Sequence, residues 1–112
     1  MNTPSPRYAA LRNRAIVWDN HACMPLRPAD KSFLPQLARH KAAGATVAFL
    51  NVSCDCEPQR PCEMLESFRG WLAGRPQDYH SGAGVADIGR ARREGKLAVF
   101  FDVEGAIPTQ DD

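Results

Sequence analysis

The sequence predicts a parallel α/β fold. Three observations carry that expectation. Apolar, β-rich runs alternate with segments of helical spacing in the order strand, helix, strand, helix, strand. The interior runs, "ATVAFLNVS" at 45–53 and "KLAVFFDVEG" at 96–105, are nearly continuous in apolar residues. Strands buried on both faces read that way. Each run also ends on polar residues with chemistry of their own: Asp19, His21 and Cys23; then Asn51, Ser53 and Cys54; then Asp102 and Glu104. Parallel α/β proteins place their chemistry at that end of their strands.

The elements follow in chain order. Residues 1–8 are polar, carry two prolines and read as a loose arm, with a short helical turn over 9–14. The first strand is expected at 15–19. "MPLRPADK" is a loop, because Pro25 and Pro28 block regular structure. Asp30 is placed to cap the next helix. That helix, "SFLPQLARHKAAG", starts near Ser32, since Pro35 fits only a first turn, and stops at Gly44. The strand at 45–53 leads to the loop "CDCEPQRPC". Leu65, Phe68, Trp71 and Leu72 then restore helical spacing. Residues 75–83 read as a break. "GVADIGRARREG" is a further helix with Val85, Ile88 and Ala91 on one side, and the strand at 96–105 follows. Three parallel strands with right-handed crossover helices result. Such a sheet has two open edges. It is either a small doubly wound sheet or the front of a larger barrel.

Composition narrows the function classes. The 112 residues suit one domain, with 44% hydrophobic and 24% charged residues. A net charge of +1 argues against a nucleic-acid footprint. The densest basic run, Arg90, Arg92, Arg93 and Lys96, reads as the wet face of a helix. No run approaches the roughly 18 apolar residues of a membrane span, and the N-terminus lacks a signal-peptide h-region. Cytoplasm is the default location, with the four cysteines as thiols.

The candidate site residues are His21, Cys23 and Glu104. An imidazole, a thiolate and a carboxylate are all competent zinc ligands. Residues at i and i+2 of an extended chain face the same way, which pairs His21 with Cys23. The plain alternatives are a turn holding a satisfied histidine and a small buried cysteine, and a surface carboxylate at Glu104. Asp102 is expected to face opposite Glu104 and to act as a partner instead of a ligand. Cys54 and Cys56 are one residue apart, tighter than structural zinc spacing, so an inert or redox-prone thiol loop reaching to Cys62 is favoured. His40 and His80 are expected to face solvent. "GAGVADIG" follows a polar loop instead of a strand and lacks the context of a nucleotide fingerprint.

"DNHAC" at the first strand, "HKAAGATVAFLNVS" and "EGKLAVFFDVEG" together resemble the N-terminal part of the membrane (renal) dipeptidase family of zinc metallopeptidases. The resemblance covers residues 14–112. It implies a (β/α)8 TIM-like barrel with two zinc ions that hydrolyses dipeptides, and in some relatives other small amides or lactams. It places a metal-ligating histidine on His21 and a bridging glutamate on Glu104. The family's ligand aspartate falls on Cys23, where this sequence departs. The family's remaining ligands are histidines from later strands, beyond this sequence.

The expectations are therefore a flexible arm at 1–14 and a partial barrel domain at 15–112. The function expected is a metal-dependent, dipeptidase-like hydrolase, with partial zinc binding and no activity as the isolated chain. A dipeptide or small amide is the expected substrate, and self-association through the open sheet edges is the expected assembly. The alternative is a non-catalytic α/β structural or interaction module with a cysteine-bound zinc.

Overall fold

The computed structural model describes residues 3–53 and 60–106. The thiols of Cys54 and Cys56 lie outside these residues. The chain folds into a four-stranded, wholly parallel sheet: β1 (Trp18–Ala22), β2 (Val47–Asn51), β3 (Tyr79–Ser81) and β4 (Leu97–Asp102), in the spatial order β1-β2-β4-β3. Three strands were expected. The addition is β3, three residues inside the stretch read as a break. It pairs Tyr79 with Leu97 and Ser81 with Val99.

Helix α1 spans Pro6–Arg14. Ser5 caps its start by accepting a hydrogen bond from the Tyr8 N–H (3.3 Å), and Pro6 takes the first position, where no N–H is needed. The predicted helix from Ser32 is divided. A 3-10 turn over Leu34–Leu37 precedes the short α2 (Ala38–Ala42). Asp30 does not cap it. Its Oδ1 accepts from the Ser32 N–H and hydroxyl, closing a turn upstream. Helix α3 (Pro61–Ala73) and helix α4 (Val85–Glu94) lie close to their predicted spans.

The sheet separates two layers. Leu34, Leu37, Met64, Phe68 and Leu72 pack with Ala48, Leu50, Leu97 and Val99 on one face. Ile88 and Ala91 of α4 pack with Val47 and Ala98 on the other. Path direction explains the split. The chain steps from β1 to β2 and outward to β3, then back to β4, and a right-handed connection that reverses direction carries its helix to the opposite face. On the α4 face an aromatic row crosses three strands. Trp18 stacks on Phe49 at 5.6 Å, and Phe49 on Phe100 at 5.0 Å. Among the described residues no helix is long and apolar enough to cross a membrane.

Candidate functional site

A fault in β1 builds the site. Asp19 pairs with Ala48 and Ala22 pairs with Leu50, so two residues, Asn20 and His21, stand opposite Phe49 alone. Such a bulge re-aims the side chains beyond it. Simple alternation would place Asp19 and His21 on one face. The bulge parts them. Asp19 turns toward α2, where Oδ2 lies 3.0 Å from His40 Nε2. His21 turns to the α4 face, toward the end of β4. The His21 N–H donates to Asp19 Oδ1 (3.1 Å), which closes the bulge locally.

The His21 ring is held at both nitrogens. Nδ1 lies 3.0 Å from Asp102 Oδ2. Nε2 lies 3.4 Å from Cys23 Sγ and 3.4 Å from Glu104 Oε2. The structure thus brings His21, Cys23 and Glu104 together at the C-terminal end of the sheet. Asp102 and Glu104 both reach the same imidazole, which corrects the expectation that they face apart. Two residues separated by one extended neighbour share a face. The hydrogen bond that Asp102 accepts, followed by its charge and by Glu104, raises the His21 pKa above its ordinary value.

Asn51, at the end of β2, is buried and also enters the cluster. Its Nδ2 donates to Glu104 Oε2 (3.3 Å), while its Oδ1 accepts from the Ser53 N–H (2.8 Å). The sequence marked Asn51 only as a polar strand end. A buried amide after a continuous apolar strand is the signal that singles it out.

His40 and His80 do not face solvent as expected. Each is partly buried against a carboxylate, His40 against Asp19 and His80 against Asp87 at 2.8 Å. Asp87 also accepts the Ala83 and Gly84 N–H groups at the start of α4, and these bonds, led by that from His80, hold its pKa down to about 2. Cys62 is exposed at the start of α3.

Among the described residues no group of three or more His, Cys, Asp or Glu side chains is placed so that it could hold a metal ion as it stands. The pairwise geometry is that of a hydrogen-bonded cluster around one imidazole. One buried polar atom in this cluster, Asp102 Oδ1, has no hydrogen-bond partner.

No protein-family model and no curated protein sequence matches the chain. Among solved structures the chain is similar to the crystal structure of an amidohydrolase from Pseudomonas aeruginosa, with a TM-score of 0.68 and 18% identity. The match covers 83% of this chain and 27% of that protein, so the chain spans about a quarter of its length. The likeness is one of fold: a parallel α/β sheet whose strands and helices follow part of an amidohydrolase.

Proposed function

We propose that this chain carries part of the metal site of a dipeptidase-like hydrolase of small peptide or amide bonds, with His21, Cys23 and Glu104 as zinc ligands. One observation supports the reading above the rest. His21 Nε2 stands 3.4 Å from both the Cys23 thiol and the Glu104 carboxylate. Zinc bonds of about 2.0–2.3 Å at tetrahedral angles set two donors roughly 3.3–3.7 Å apart. The residues fit zinc in donor type and in these two spacings, and the three must close further to form a metal shell. The His21 and Glu104 side chains are 42% and 59% exposed, so an ion can reach both from solvent.

Asp102 does for the ring what carboxylates do behind metal-bound histidines. It accepts the Nδ1 proton, fixes the tautomer and leaves Nε2 as the donor atom. Zinc, when bound, polarises a carbonyl and lowers the pKa of its water. Three side chains suffice for one ion and fall short of two. The proposal is therefore one zinc per chain and no turnover by the chain alone.

Metal analysis of the purified chain, beside a dipeptide hydrolysis assay, tests this. About one zinc per chain is expected, on the count of ligands a single site needs. It should be lost in His21→Ala and kept in a Cys54→Ser, Cys56→Ser double variant. Zinc that persists in His21→Ala overturns the proposal. Zinc lost only in the cysteine double variant favours a non-catalytic module with a thiol-bound metal.

A further inference from the structure

We infer that Asn51 is a positioning residue that aims the Glu104 carboxylate at His21; the inference rests on the metal-site reading above. Glu104 lies beyond the end of β4, and its side chain is more exposed than that of His21. An exposed glutamate on a short extension samples many rotamers, and fixing it costs side-chain entropy. Something rigid must therefore hold it.

Asn51 is built for that task. It is 4% exposed and sits in the last position of β2, paired in register with Asp102. Its amide has a single workable orientation. The Ser53 N–H lies 2.8 Å from Oδ1 and requires an acceptor there. Nδ2 is thereby turned outward, 3.3 Å from Glu104 Oε2. The backbone makes the same junction, because the Glu104 N–H donates to the Ser53 carbonyl (2.8 Å). Backbone and side chain together tie the glutamate to the end of β2.

The test is zinc affinity of the full chain, measured by competition with a chromophoric chelator, in a double-mutant cycle of Asn51→Leu and Glu104→Gln. Asn51→Ser, too short to reach Glu104, runs in parallel, so that loss of the fold in one variant leaves the other to decide. Asn51→Leu should weaken zinc binding about 10–100-fold when Glu104 is present, the range for residues that orient ligands. In the Glu104→Gln background the same change should have an effect of about threefold or less, because the carboxylate it aims is gone. An equal loss in both backgrounds means that Asn51 acts on the fold alone and overturns the inference. Undiminished affinity in the folded variants overturns it as well, while the metal reading stands. A wild-type chain that binds no zinc removes both.

Discussion

The His21 imidazole and the Asp102 carboxylate meet at 3.0 Å although 81 residues separate them. Asp102 closes β4 and His21 lies in the bulge of β1, so the contact spans β2 between them. Asp102 is the first cause of the raised His21 pKa. Replacing Asp102 by Asn keeps the shape and removes the charge. In the metal-free chain the His21 titration, followed by NMR, should then fall back toward 6.5, its ordinary value. The sign for stability follows. A histidine with a raised folded pKa contributes fully below about 6.5, and the contribution fades as pH rises through the folded value. The stability gap between wild type and Asp102→Asn should therefore be wider at pH 6 than at pH 9. An unchanged His21 titration in the variant would show that the contact does not set the ring's charge.

Asp87 titrates with the opposite sign. It accepts hydrogen bonds from His80 and from two backbone N–H groups at the start of α4, with its pKa near 2 against 3.8 ordinarily. A carboxylate with a depressed pKa stabilises fully above its unfolded value and loses the effect as pH falls through its folded value. Asp87→Asn should lower Tm by several degrees at neutral pH. The gap to wild type should hold down to about pH 4 and close toward pH 2. Thermal melts in steps of one pH unit decide the matter. A gap that widens on acidification would contradict it.

Gly82 marks where the chain leaves the short edge strand under an aromatic ring. A Cβ there would lie 2.6 Å from two Phe100 ring carbons and closer still to Cζ. Phe100 in turn stacks on Phe49. Gly82→Ala must push the ring off its partner, and overpacking of this kind costs about 1–3 kcal/mol. The same substitution in a Phe100→Ala background should cost little, because the obstructing ring is gone. Denaturant midpoints of the four chains measure the coupling. Equal costs in both backgrounds would place the strain elsewhere.

Much of this architecture was legible because apolar runs have few alternatives. "ATVAFLNVS" and "LAVFFD" form the two central strands, and the spacing of Leu65, Phe68, Trp71 and Leu72 forms α3. The strand "YHS" was not legible. Three residues with one apolar side chain carry no period, and only the edge of β4 makes them a strand. The bulge was equally silent. It reversed the facing of His21 relative to Asp19, and nothing in "WDNHA" distinguishes a faulted strand from a regular one. The shared side of Asp102 and Glu104 was available from strand periodicity. The meeting of His21 with Glu104 required parallel strands, which the continuous apolar runs did indicate.

Helix α1 has no buried residue, and polar contacts hold it to the body. Arg92 of α4 donates through Nη2 to the Arg14 carbonyl (2.6 Å) and to the Asn13 carbonyl (3.2 Å). These carbonyls close the last turn of α1, where orphan acceptors and the negative end of the helix dipole favour a cation. Arg12 adds a second tie, donating to the Ala43 carbonyl (3.4 Å) beside Gly44. Gly44 has φ +92°, and a Cβ there would lie 2.6 Å from Arg12 Cδ. Because α1 contributes little apolar burial, releasing it should leave the core intact. Arg92→Ala should therefore speed amide exchange over residues 9–15 and expose bonds near Arg7, Arg12 and Arg14 to trypsin. Tm should fall by less than in Gly82→Ala. A large loss of Tm with unchanged exchange in α1 would mean that Arg92 supports the core and not the helix it caps.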